Sequence, residues 1–346
     1  MAMKIAIIGG SNSVKSTGWV GAFAEVIGDL GEVLNRSVGA APSIMGYFRA
    51  VTESSLGKGD VVIWEYAVND ERFIVRDKQT PELLLGYCEM TLRYCQKRNI
   101  RFIPLIFTAK TMAWEPKSPY RASLHRLFEH YGLLYLDVTE EVPAKLNRDR
   151  MPAYLYQDEL HYKSMPFITR FIAKRARAMM AHYQRPKLVA PLFATAGTKV
   201  EIFTGFDDSE QATFTNSVLT VETFAPDPGT GTMLARIPGP AFRLVALVLL
   251  CPVYGGALRI SAPDRSFAVS ATFQNQGFLK PMLKLCNLTD DKTHSFAFAG
   301  ATTFSISRER SNKDLIYDLG FVARPTEKSL DTATATMVAM IIERRA

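Results

Sequence analysis

The chain has 346 residues, 47% of them apolar or aromatic, and carries 41 Lys and Arg against 34 Asp and Glu, a net charge of +7. That length exceeds what one hydrophobic core usually serves, so two domains are expected. The charge excess is dilute, which argues against a nucleic-acid binder. Its densest basic stretch, "RFIAKRARAMMAHYQRPK" over residues 170–187, alternates with apolar residues at helical spacing and reads as a solvated helix face.

From residue 4 to about 185, apolar strand-like runs alternate with helical patterns. In order they are the strand "KIAIIG", a helix around "WVGAFAEVIGDL", the strands "EVLN" and "DVVIWEY", and the helix "PELLLGYCEMTLRYCQKRN". The strand "RFIPLIF", a helix around "YRASLHRLFEHYG", the strand "LLYLDV" and a helix after Pro166 complete the series. Strands this apolar, each leading to a helix, imply a parallel sheet covered on both faces, with functional groups at the strands' carboxyl ends. After "QRPKLVAPLF" the texture changes to short β-rich runs broken by Gly, Pro, Asp and Asn, such as "TKVEIFTGF", "FRLVALVLL", "ALRISA" and "ATMVAMIIER". These predict a β-sandwich or jelly roll with no helix of its own. The expected domains are residues 1–187 and 198–346.

Cys88, Cys95, Cys251 and Cys286 form neither a metal-ligand cluster nor a disulfide framework, and are expected to be reduced. Cys88 and Cys95 lie seven residues apart on a helical pattern, about 10 Å along the axis and too far to bridge. The N-terminus lacks a signal-type segment, and the longest apolar run, "LVALVLLCPVY" over residues 244–254, falls short of the roughly 18 residues of a membrane span. A cytoplasmic protein without a membrane span is expected.

The stretch "IIGGSNSVKST" after the first strand allows two chemistries. A Walker-type phosphate loop needs Gly directly before Lys, where this chain has Val14, and the dinucleotide fingerprint Gly-x-Gly-x-x-Gly is absent. A turn that presents a serine is the better reading. A nucleophilic serine needs a base, a group that orients the base, and donors for the oxyanion, each from a different strand end. Candidates stand in that order: Ser11 after the first strand, "NRSVGAAPS" after the second, "EYAVND" after the third, and "DELH" before the last helix.

Together these blocks resemble the SGNH hydrolases, the GDSL-type esterase superfamily, over residues 4–185. The resemblance implies a flavodoxin-like three-layer α/β/α domain. It matches Ser11 in "GGSNS" to the nucleophile, Gly39 in "NRSVGA" and Asn69 in "AVND" to the oxyanion donors, and Asp158 and His161 in "DELH" to the Asp-x-x-His pair. Three positions depart from the family pattern: Gly10 replaces the usual Asp before the nucleophile, Ala67 the usual Gly before "xND", and Ser37 a common Gly in the second block. Structural alternatives stand beside each role. Ser11, Ser13 and Ser16 would suit a cap for the helix near Trp19, Asn69 and Asp70 a turn, Gly39 a positive φ, and Glu159 competes with Asp158. The other histidines are His125, His130 and His182 on helical patterns, and His294 in the β-rich half.

The resemblance implies a serine esterase that cleaves O-acyl esters through a covalent acyl-enzyme and without metal or organic cofactor, and the appended β-rich half, a form that sugar-binding modules often take, points to O-acetyl groups on a saccharide. An O-acetyltransferase acting on a glycan with the same residues is the alternative within the family. A non-catalytic glycan-binding or assembly protein is the alternative outside it. The β-rich half is expected to position or select the glycan, with Tyr254 for sugar stacking, or to mediate homo-oligomers.

Overall fold

The computed structural model describes residues 2–77, 79–114, 117–194, 197–216, 219–273, 281–290, 296–313, 315–316, 322–333 and 335–345. The chain forms two compact units, Met1–Ala196 and Gly197–Ala346. The first contains β1 (Met3–Gly9), α1 (Ser11–Val14), α2 (Trp19–Ile27), β2 (Gly31–Asn35), α3 (Ser43–Thr52), β3 (Val61–Glu65), α4 (Ala67–Asp77) and α5 (Pro81–Arg98). It continues with β4 (Arg101–Ile106), α6 (Pro119–His130), β5 (Leu136–Asp137), α7 (Val138–Leu146) and α8 (Pro166–Ala181).

The five strands are all parallel in the order β2-β1-β3-β4-β5, the flavodoxin-like order. Alternation along the strands explains the layers. Ile5, Ile7, Val61, Ile63, Ile103 and Leu105 share one core with Trp19 and Phe23 of α2 and Ile168 and Ile172 of α8. Ala6, Ile8, Val62 and Trp64, equally buried, point to the opposite face, where Trp64 meets Phe128 of α6 edge-on at 6.2 Å. A sheet buried on both sides is why these strands are nearly continuous apolar runs. The strand order reverses between β1 and β3, so their carboxyl ends open the crevice of such a sheet.

The second unit contains β6 (Thr198–Phe203), β7 (Phe206–Asp207), β8 (Ser209–Thr215), β9 (Thr220–Pro226), β10 (Thr232–Cys251), β11 (Ala257–Ala262), β12 (Arg265–Ser270), β13 (Thr272–Phe273) and β14 (Met282–Asn287). β15 (Ala297–Glu309), β16 (Leu315–Ile316), β17 (Val322–Ala323), α9 (Glu327–Thr332) and β18 (Thr336–Arg345) follow. Eleven strands join one mixed sheet, antiparallel except for β12 with β16, and most of them contribute to a common apolar core. The 20-residue β10 organises it by pairing with β15 along its first half and with β14 and β18 along its second.

Several elements differ from expectation. Pro238, Gly239 and Pro240 do not end a strand; β10 passes through them with a register shift between Ile237 and Pro240, Gly239 taking φ +95. Arg344 donates to the carbonyls of Pro238 and Pro240 at 2.6 and 2.7 Å, replacing partners that the lost register would supply. The helix α9 lies in the half expected to have none. The cysteines are free and buried, as expected. No helix of the described residues is long and apolar enough to cross a membrane.

Candidate active site

The turn after β1 is built on its two glycines. A Cβ on Gly9 would lie 2.7 Å from Ser13 Oγ and 2.9 Å from the Glu65 carbonyl, and one on Gly10 would lie 2.3 Å from Asn69 Oδ1. No larger residue fits either position without displacing a neighbour. The Gly10 N–H donates to the Glu65 carbonyl at 2.8 Å and to its carboxyl at 3.2 Å, and the Ser13 hydroxyl donates to the same carboxyl at 2.7 Å. Ser11 is thereby left half-exposed as the first residue of α1. Neither Ser13 nor Ser16 caps α2, whose N-cap is Gly18 without a side-chain bond.

His161 reaches Ser11 from 150 residues away, its Nε2 lying 2.8 Å from Ser11 Oγ. Its Nδ1 lies 2.9 and 2.8 Å from the two carboxylate oxygens of Asp158. An ionised carboxylate only accepts, so Nδ1 carries the proton and Nε2 is left to accept the serine hydroxyl's hydrogen. Burial pushes the Asp158 carboxyl up, but the N–H of Leu160 and the ring and N–H of His161 outweigh it and hold it below the ordinary carboxylate range. Asn12 clamps the two segments together, accepting from the Tyr162 N–H and donating to the Leu160 carbonyl, both at 2.9 Å. Glu159 does not face His161; it accepts from the Thr111 N–H at 2.9 Å.

Gly39, between β2 and α3, packs on the serine: a Cβ there would touch Ser11 Cβ at 3.4 Å. Asn69 lies in the first turn of α4 rather than in a turn after β3, with its amide against Gly10 and an N–H donated to the Ala41 carbonyl at 2.9 Å. Asp70 accepts from the Ser43 N–H at 2.8 Å and from the Ser43 and Tyr120 hydroxyls. The pair Asn69 and Asp70 thus ties down the loop that carries Gly39. Burial pushes the Asp70 carboxyl up to about 7 and that of Glu65 up to about 8, against hydrogen bonds that oppose the shift. Asn12 and Glu65 escape sequence reading because their partners lie about 50 to 150 residues away, and Glu159, weighed there as a rival to Asp158, instead holds the Thr111 segment.

Among the described residues one group, His125, Asp137 and Glu140, brings possible metal ligands within 4.8 Å of one another. Arg121 already forks Asp137 at 2.6 and 2.8 Å, and Lys117 lies 2.7 Å from Glu140, so cations of the chain itself fill the place of an ion. His130 Nε2 donates to the Ala190 carbonyl at 2.9 Å, His182 ends α8, and His294 lies outside the described residues. Tyr254 is exposed.

A parallel sheet with these polar groups at its switch point has the flavodoxin-like architecture that the four sequence blocks imply, and a β-rich second unit follows it in the chain. The crystal structure of a two-domain esterase active on acetylated mannans aligns with 98% of this chain and 91% of its own, at TM-score 0.61 and 15% identity. A structure described in the same words, co-crystallised with mannopentaose, aligns with 98% and 90% at TM-score 0.62 and the same identity. At that identity the likeness is one of fold. No family model and no curated protein matches the sequence.

Proposed function

We propose that the chain is a carboxylic ester hydrolase that removes O-acyl groups, O-acetyl first among them, from a saccharide. The observation that carries this reading is the hydrogen-bonded series Asp158–His161–Ser11, with Gly39 and Asn69 packed against the serine turn. The likeness in fold to an esterase active on acetylated mannans supports the saccharide.

Ser11 Oγ attacks the ester carbonyl as its proton passes to His161 Nε2, and Asp158 stabilises the imidazolium that results. The backbone N–H groups of Ser11 and Gly39 and the Asn69 amide receive the oxygen's negative charge, each donor being worth about 3 kcal/mol of barrier. Collapse expels the alcohol with the proton from Nε2, and water, activated by the same nitrogen, then releases the acid. Acyl transfer to a second alcohol would use the same groups.

A fluorophosphonate probe should label Ser11 alone, and folded Ser11→Ala should lose nearly all turnover of an aryl acetate. Label on another residue, or turnover retained in Ser11→Ala, rules the reading out.

A further inference from the structure

After β4 the chain runs through residues 107–114, and between α7 and Asp158 it runs through residues 147–155. An open cleft of about 610 Å³ is lined by Trp114 from the first segment and by Arg148, Asp149, Arg150, Met151 and Tyr154 from the second. The chain has three tryptophans, and Trp19 and Trp64 are 3% and 0% exposed while Trp114 is 39% exposed. Tyr154, at 57%, is another large ring left in solvent. Trp114 is nevertheless held: its indole N–H donates to the Met151 carbonyl at 2.8 Å, and Lys110 Nζ lies 5.6 Å from the ring centroid.

The cleft is fastened to the catalytic loop. The Lys110 N–H donates to the Glu159 carbonyl at 2.7 Å and the Thr111 N–H to the Glu159 carboxylate at 2.9 Å, and Glu159 stands between Asp158 and His161. The wall that carries Trp114 and the loop that carries the Asp–His pair are therefore one hydrogen-bonded piece.

A pyranose ring presents an apolar C–H face and a rim of hydroxyls. It is matched by a flat aromatic surface bordered by planar polar groups, the role that exposed Trp and Tyr fill with one apolar and one wet side. Guanidinium forks meet neighbouring hydroxyl oxygens and a carboxylate accepts their hydrogens, so Arg148, Arg150 and Asp149 supply both partners. A fatty acyl chain would need a closed apolar channel, which this open, charged cleft does not offer.

We propose that this cleft is a glycan subsite in which Trp114 and Tyr154 stack on sugar rings of the substrate chain. The proposal rests on the esterase reading for its substrate class, and its test reads binding apart from turnover. Because Trp114 is the exposed indole, unacetylated mannopentaose or xylopentaose should shield wild-type fluorescence from acrylamide, and Trp114→Phe should abolish the shielded component. Tyr154→Ala, at an exposed position, should weaken the shielding with an unchanged thermal midpoint. On acetylated pentasaccharide, Trp114→Ala should raise KM roughly tenfold with kcat little changed. Quenching that neither pentasaccharide alters at millimolar concentration, or a KM unmoved in Trp114→Ala, overturns the subsite. Shielding in a protein inactive on aryl acetate would leave the subsite standing and sink the esterase reading instead.

Discussion

Gly10 stands where the SGNH pattern has an acid, and the Asn69 amide explains why. With a Cβ at residue 10 only 2.3 Å from Asn69 Oδ1, an Asp there and the present Asn69 rotamer exclude each other. The departure thus leaves room for the Asn69 amide, the proposed oxyanion donor. If the amide acts on charge that develops only in the transition state, Asn69→Ala lowers kcat roughly 100-fold with little change in KM. Gly10→Ala, by expelling the amide, should cost about as much. The double variant should be no worse than either single one, since both remove the same interaction. Steady-state kinetics on an aryl acetate check this; additive losses, or losses confined to KM, would make Gly10 and Asn69 independent or Asn69 a ground-state binding residue.

At the next scale, the end of β3 and the start of α4 bury three carboxyls, Glu65, Asp70 and Glu71, all pushed up by burial, to about 8, 7 and 7. Glu65 holds the serine turn through Gly10 and Ser13, while its Oε1 finds no hydrogen-bond partner among the described residues. A carboxyl whose folded pKa lies above the ordinary 4.5 binds more protons folded than unfolded. Its stabilisation is complete below the unfolded value and is lost as pH rises through about 8. Wild-type stability should accordingly fall between pH 5 and 8. Glu65→Gln, with no proton to lose, should show a shallower fall and a higher urea midpoint than wild type at pH 8. Asp70 and Glu71 still titrate there, so the slope should shrink without vanishing. Urea midpoints at three pH values decide it: an unchanged or steeper slope in the variant would mean that Glu65 is ionised throughout. This cluster also marks where sequence reading stops. The five strands, their parallel pairing and the residues at their carboxyl ends were legible because apolar runs and polar punctuation are local signals. "AVND" reads as a turn because its residues favour turns, yet tertiary contacts make it the first turn of α4, which was missed along with α7 and its internal Pro143. β5 is only two residues of the longer apolar run "LLYLDV". In the second unit, Pro238-Gly239-Pro240 reads as a break, yet β10 continues through it, paired with β15 on both sides and with Arg344, a hundred residues on, donating to the two proline carbonyls.

For the whole molecule, the open question is what the second unit adds to a site whose every named group lies in the first. Unit Met1–Ala196 has its own closed sheet faces and core, so residues 1–196 should fold alone and keep full-length turnover of an aryl acetate. The Trp114 cleft belongs to the same unit, and with it a short acetylated oligosaccharide should remain a substrate. A polysaccharide is different, since its many ring units extend past one 610 Å³ cleft, and any surface that recruits them raises the local concentration of ester groups. If the β-rich unit positions or selects the glycan, the fragment loses activity on an acetylated polymer while the short substrate is spared. The measurement is the ratio of kcat/KM on polymer to that on pentasaccharide, full-length against fragment. A ratio unchanged by truncation would remove substrate selection from the second unit, and sedimentation of the full chain as a dimer with the fragment as a monomer would then give that unit assembly as its work.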